Sequence, residues 1–367
     1  MSKATKLAVL GSGFIAYTDY YPAFVREDIR DLVEVTAICD PVSGRAAEHI
    51  EKFGFSAKAY TDYDAMLAEA EMDLLIVLSP IPLHYQQVKK ALLAGKNVYC
   101  QKTFTETAAE ATELVALAKE KGLILCAAPG QMVLAENQEV KKLMEQGVLG
   151  KVCWARGFGG HPGHEKQELF GIDPSWYYKK GGGPMGDVAV YSITTLVNLL
   201  GPAKRVCGFS GIAEPDRFWN GKKLDVQMDD NTYLLIDFGE SRFAAITGNF
   251  CTPQFRCGPL VEMFGTKGIA RIGGWSKREV PFEYYTSQPV NGSTYGWYQP
   301  AEDIAAPSKP ETVHTVQDVL HICACMETGE KPLNTADRAA HVIEIIEKGY
   351  EAAETGRTME LTTTFDF

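Results

Sequence analysis

Apolar and polar positions alternate along this chain in two different textures. Over the first third, short unbroken apolar runs at 7–10, 33–39, 74–78, 97–100 and 123–127 are separated by amphipathic stretches. The unbroken runs read as strands buried on both faces. Helices are predicted after Gly13, over 43–53, through Ala70, over 85–94 and over 108–121, with Gly54 and Gly95 as stops. Strand–helix alternation of this kind predicts a parallel sheet with helices on both sides. The texture changes after Pro129-Gly130. A helix near 136–146 is followed by strand-like runs at 152–158, 205–211, 232–238, 243–250 and 260–264, punctuated by Gly and Pro. That pattern predicts an α+β region built on a large, mostly antiparallel open sheet. Two helices, 313–327 and 336–354, close the chain, and Gly356 stops the second.

The turn after the first strand gives the α/β region a chemistry. Gly11-Ser12-Gly13-Phe14-Ile15-Ala16 follows the strand directly and opens a helix, and Asp40 ends the next strand. Gly11 permits the tight turn, Gly13 lets the backbone approach a pyrophosphate, and Ala16 keeps helix and strand close. The N–H groups at Phe14 and Ile15 open the helix toward the phosphates. Asp40 is placed to accept hydrogen bonds from an adenosine ribose, and its charge repels a 2′-phosphate, so NAD is expected in preference to NADP. The expected division is therefore a Rossmann NAD-binding domain over 1–128 and a substrate-binding domain over 129–367. The crevice between them is the expected substrate site.

Composition narrows the partners. The chain has 367 residues and a formal net charge of −11, which disfavours nucleic acid and anionic membrane. No apolar run reaches transmembrane length. The nine cysteines are scattered and read as reduced thiols, which points to the cytoplasm. His161-Pro-Gly-His164-Glu165 has the residue types of a metal cluster but not the spacing of a zincin helix, so it reads as a loop and no metal is expected. Trp176-Tyr177-Tyr178 could offer aromatic faces to a sugar ring or fill a core.

Several segments together resemble the Gfo/Idh/MocA family of sugar and cyclitol dehydrogenases. Cys39-Asp40-Pro41 is similar to the family's second-strand end, and Ser79-Pro80 with Leu83-His84 to its T-P-x-x-x-H segment. The run from Ala94 through Lys102 resembles A-G-K-H-V-x-x-E-K, and Gly181-Gly182-Gly183 with Asp187 resembles G-G-G-x-x-x-D. His341-Val-Ile-Glu through Arg357 is similar to the closing helix and turn. Three positions depart: Gln101-Lys102-Thr103 stands for Glu-Lys-Pro, Tyr191 for a histidine, and Ala189 for a glycine.

The resemblance implies a dehydrogenase in which Lys102 handles the proton of a secondary hydroxyl. Asp187 and Tyr191 are its implied substrate and relay groups. His161 and Trp176 are the residues' own candidates to face the substrate, beside the surface-loop and core readings, and Ser79, His84 and Gln101 are candidates to lie by the cofactor. It also implies a homodimer or homotetramer. Gln101 removes an anion that would hold Lys102 charged, so the lysine is expected to deprotonate more readily. A Lys-Thr bond should be trans, or visibly strained. Two other readings stay open: an NAD-dependent glycosidase working by transient oxidation, and a non-catalytic NAD sensor.

Overall fold

A six-stranded parallel sheet carries the first part of the chain, with strands β1 (Thr5–Leu10), β2 (Val33–Cys39), β3 (Lys58–Tyr60), β4 (Leu74–Val77), β5 (Asn97–Cys100) and β6 (Leu125–Ala127) in the order β3-β2-β1-β4-β5-β6. The computed structural model describes residues 4–167, 173–253, 259–273, 282–287, 289, 296–299 and 314–367. Alternate residues of these strands feed opposite cores. Leu7, Val9, Ile38 and Ile76 lie on one side. Ala8, Leu10, Leu75 and Val77 lie on the other, against Val88 and Leu92 of the helix Ile81–Leu93 and Leu114 of the helix Ala108–Lys121. The order reverses between β1 and β4, and at such a switch point the carboxyl ends of strands form a ligand crevice.

The chain divides into two units, Met1–Val133 with Ser308–Ala340, and Leu134–Pro307 with His341–Phe367. The division read from sequence at 128 is contiguous, whereas these units are interleaved. The physical reason is the helix His314–Thr328, whose Val316, Val319 and Ile322 complete the first core beside Leu7 and Val9. The expected starting residue of that helix, Val313, lies outside the described residues.

Two local differences concern the first unit. The short strand β3 was not anticipated from the apolar runs. The expected helix after Gly13 is instead a π-helical turn, Ala16–Tyr20, leading into one α-turn, Tyr21–Phe24. Pro22 has no N–H to continue the α-helical ladder, and π-helical widening is one way a helix absorbs such a gap.

Asp318 of the helix His314–Thr328 is fully buried. It accepts hydrogen bonds from Tyr99 Oη (2.9 Å) and the Gly130 N–H (2.9 Å). Burial outweighs both bonds and pushes its pKa up to about 7. The unfolded carboxyl ionises near ~4. Between these values the folded chain keeps a proton that the unfolded chain has lost. Stability is therefore expected to fall as pH rises toward 7, by up to ~1.4 kcal/mol per pH unit, and to level off above it. Asp318→Asn keeps an acceptor for both donors and should flatten this slope in urea unfolding. An unchanged slope would assign the pH dependence elsewhere.

The second unit is built on a nine-stranded mixed sheet. Its strands are β7 (Val152–Gly160), β8 (Arg205–Gly211), β11 (Asn231–Gly239), β12 (Arg242–Asn249), β13 (Val261–Gly265), β14 (Gly268–Ile272), β15 (Phe282–Thr286), β16 (Gly296–Tyr298) and β17 (Met359–Glu360). They run in the order β16-β15-β14-β13-β7-β12-β11-β8-β17, with only the β7–β12 pair parallel. A separate hairpin joins β9 (Phe218–Trp219) to β10 (Lys222–Lys223).

One face of the large sheet holds the buried helix Val190–Leu200, which reaches β7, β12 and β13. Gly159 makes the close approach possible, since a Cβ there would fall 2.4 Å from the Ala189 nitrogen. The opposite face carries exposed Trp154, Phe209, Tyr233, Leu235 and Phe243. Trp154 stacks on Phe264 at 3.8 Å, and Phe243 is its register partner on β12.

At the chain's end, His341 accepts the Ala203 N–H (2.9 Å), and Glu344 accepts four hydrogen bonds from Thr362 and Thr363. The family-like C-terminal motif therefore pins the tail. Among the described residues no helix is long and apolar enough to cross a membrane.

Candidate functional site

The carboxyl ends of β1, β2, β4 and β5 bring the sequence-predicted cofactor residues together in the first unit. Gly11 has φ +93°, and a Cβ there would sit 2.8 Å from the Ser79 nitrogen, so β1 and the end of β4 meet only through glycine. At Gly13 the Cβ position is open, with no heavy atom within 4 Å. An anionic diphosphate can therefore reach the backbone there, and the loop fits a dinucleotide. Phe14 is exposed and Ile15 half-buried where the helical segment begins.

Asp40 is buried and holds this loop. Its Oδ2 accepts the Ser12 N–H (2.8 Å), its Oδ1 accepts the Val42 N–H (2.9 Å), and Arg45 Nη1 lies 3.2 Å away. Ser12 Oγ in turn bonds Tyr21 Oη (2.8 Å) and His49 Nδ1 (2.8 Å). The acid predicted for ribose recognition is thus tied directly to the phosphate turn.

Lys102 follows β5 and is half-buried. Its backbone N–H donates to Gln101 Oε1 (2.7 Å). A glutamate at 101 would offer the same acceptor with a negative charge, so the glutamine keeps the geometry and drops the charge. The Lys102–Thr103 peptide is cis, the second of the two outcomes open from residue type. Ser79 Oγ donates to Gln87 Oε1.

His84 is anchored to the backbone at two strand ends. The ring is fully buried, with Nδ1 2.9 Å from the Thr103 carbonyl oxygen and Nε2 2.8 Å from that of Ser79. Burial lowers its pKa against the pull of these carbonyls. His84 spans the ends of β4 and β5 and so positions the segment that carries Lys102.

A polar cluster in the second unit gathers around Asp187. Asp187 lies on a π-helical turn, Met185–Ala189, before the helix that contains buried Tyr191. The helix that carries Tyr191 is therefore preceded by a wider turn, a feature frequent at functional sites. Asp187 is 8% exposed, and its Oδ2 lies 2.7 Å from His164 Nε2 and 3.5 Å from His161 Nε2. The Gly163 N–H donates to His161 Nδ1 (3.0 Å), and Gln167 Nε2 is also 3.0 Å from that nitrogen. His161, His164 and Asp187 each place a ligand atom within 4.8 Å of the others, a juxtaposition that loop spacing did not predict.

An aromatic ladder continues from this cluster. His164 stacks on Tyr177 (3.5 Å, 16°), and Tyr177 meets Trp176 at 3.8 Å. Trp176 is 42% exposed and Tyr178 is buried. Tyr178 Oη accepts the His164 N–H (3.0 Å) and donates to Glu165.

Behind the loop lies Arg217, which sequence reasoning missed. Its guanidinium is fully buried and bonds Glu165 (2.7 Å), Asp230 (2.8 Å) and the Phe250 carbonyl (2.9 Å). Its buried partners are far apart in sequence, and the local acid Glu214, 3.6 Å away, is an ordinary i,i+3 neighbour that does not mark a buried arginine. His164 carried a signal, a second histidine three residues after His161, that its Pro-Gly spacer obscured.

Comparison with known proteins agrees with this geometry. Residues 5–128 match the family described as "Oxidoreductase family, NAD-binding Rossmann fold", and residues 137–271 match the "GFO/IDH/MocA C-terminal domain". The chain is 28% identical over 240 residues to a D-xylose dehydrogenase of Paenarthrobacter nicotinovorans, a match covering 63% of this chain and 61% of that one. It is 27% identical over 213 residues to a D-glucoside 3-dehydrogenase of Escherichia coli (strain K12), covering 54% and 55%. The matches thus span less than two thirds of either relative. A levoglucosan dehydrogenase solved with NADH and levoglucosan shares the fold over 98% of this chain and 100% of its own, with TM-score 0.85 and 17% identity.

Proposed function

The chain belongs to the GFO/IDH/MocA family of NAD-binding oxidoreductases, and from that premise we propose that it oxidises a secondary hydroxyl of a sugar, glycoside or cyclitol. The observation that carries this reading is the dinucleotide turn of Gly11, Gly13 and Asp40, set in the same sheet as Lys102 at the end of β5. When bound, NAD supplies the hydride acceptor. Gly11, Gly13, Phe14, Ile15 and Ser79 would line its phosphates and Asp40 its ribose. The carboxylate of Asp40 would accept from ribose hydroxyls and repel a 2′-phosphate, which favours NAD over NADP.

Lys102 serves the reacting hydroxyl as acid/base, held in place by Gln101 and, through Thr103, by His84. Asp187 and Tyr191 bind substrate hydroxyls and relay protons, with His161 behind Asp187. The exposed Trp176 indole suits the apolar face of a sugar ring. The first unit carries the cofactor and the second the substrate. The outer aromatic face around Trp154 and Phe243 suits a second copy of the chain in a dimer or tetramer, and the cytoplasm is the proposed compartment.

The test is NADH and NADPH formation over a panel of free sugars, glycosides and inositols. NADH from at least one class, with NAD preferred, is the expected result. Cofactor that stays bound with no net reduction across the panel would overturn the reading.

A further inference from the structure

The cluster around Asp187 contains one imidazole with an open nitrogen. Among the described residues, His164 uses Nε2 on Asp187 and its backbone N–H on Tyr178, and its Nδ1 has no hydrogen-bond partner. His164 is 12% exposed, and its ring is clamped face-on by Tyr177 and edge-on by His161 (4.5 Å, 77°) and Phe250 (5.4 Å, 76°). A neutral imidazole that donates through Nε2 carries its lone pair on Nδ1. Asp187, buried and accepting from that Nε2–H, fixes the tautomer. This is the arrangement of a carboxylate-oriented general base.

The neighbouring ring settles what the three groups can do together. The Gly163 N–H is an obligate donor, so His161 Nδ1 must be its acceptor and the His161 proton sits on Nε2, facing Asp187. A cation shared by His161, His164 and Asp187 would need a lone pair on that same Nε2. The cluster is therefore wired for proton transfer rather than for metal ligation. His161 supports the charge of Asp187 from the far side. Tyr177 is stacked on the His164 ring, and behind the loop Glu165, Tyr178, Arg217, Asp230 and Glu214 are joined in one network of hydrogen bonds and ion pairs.

We propose that His164, oriented by Asp187, is the base that takes the substrate's hydroxyl proton. This rests on the dehydrogenase reading and moves removal of the hydroxyl proton, which that reading gives to Lys102, to His164. The carbon gives up a hydride to the oxidised cofactor, the O–H bond breaks, and its proton forms a bond to Nδ1. The carbonyl product and an imidazolium on Asp187 result, and loss of that proton to water restores the base. The histidine absent at 191, where Tyr191 stands, is thereby replaced from a different element, the loop after β7.

The test uses the full chain with NAD and a sugar that wild type oxidises. His164→Gln keeps an N–H for Asp187 but has no basic nitrogen. It is expected to lower kcat by ~10²-fold or more, with KM and NAD affinity nearly unchanged. His164→Ala should regain activity with added imidazole. Wild-type 15N spectra should show His164 as the Nε2–H tautomer, a readout that needs no variant and no turnover. Full kcat in an NAD-binding His164→Gln protein, an Nδ1–H tautomer, or activity lost to a chelator and restored by zinc would each overturn the proposal. A wild type that forms no NADH from any sugar would instead overturn the dehydrogenase reading beneath it.

Discussion

Lys102→Ala is expected to lower kcat/KM for the responsive sugar by about 10²–10⁴-fold while NAD affinity stays within a few-fold of wild type. Oxidation builds negative charge on the hydroxyl oxygen before the carbonyl forms, and an ammonium beside that oxygen stabilises it most in the transition state. Alanine removes the charge and leaves the frame standing. The Lys102 backbone N–H still donates to Gln101, and His84 still spans the Ser79 and Thr103 carbonyls. The loss should therefore fall on turnover and not on folding or on the dinucleotide turn. Lys102→Arg, which keeps the charge with a different shape, should fall between wild type and alanine. Steady-state kinetics beside calorimetric NAD titration separates the effects. A Lys102→Ala protein with wild-type kcat/KM would remove the lysine from the reaction.

The second large effect lies at Arg217. Arg217→Met removes the cation and leaves Glu165 and Asp230, both nearly fully buried, without their shared partner. Breaking a buried ion pair from one side costs about 3–5 kcal/mol. In a unit of this size that corresponds to a melting-point drop on the order of 10 °C. Glu165 also holds Tyr178, which receives the His164 N–H. The same substitution should therefore loosen the loop and lower turnover beyond what stability predicts. Glu165→Gln with Arg217→Met should recover part of the stability, since one of the two stranded charges is gone. Differential scanning calorimetry of both variants checks this, and a melting point within about 2 °C of wild type would show the network to be solvated.

Much of the first unit was legible in the sequence, for a physical reason. Strands buried on both faces must be apolar throughout, so β1, β2, β4, β5 and β6 announce themselves. The three-residue edge strand β3, with two of its residues exposed, does not. The helix His314–Thr328 was readable as a helix. Its place was not, because Val316, Val319 and Ile322 would suit any apolar surface. The dinucleotide turn was readable because backbone geometry restricts residue type there.

The chemistry of the second unit was less readable. Asp187 meets His164 from 23 residues away, and Arg217 meets Glu165 from 52 away. Such polar contacts impose no period on the sequence. His84 kept its family-like position, but sequence alone did not reveal that both ring nitrogens would be taken up by backbone carbonyls.

The hydrogen bond from Lys102 N–H to Gln101 Oε1 has a wider consequence. A carboxylate and a carboxamide present the same oxygen to that N–H and differ only in charge. Scaffold and electrostatics are therefore independent variables at position 101. A single substitution can reset the electrical environment of the neighbouring lysine without refolding the strand end, so the charge at this position can drift while the architecture stays fixed.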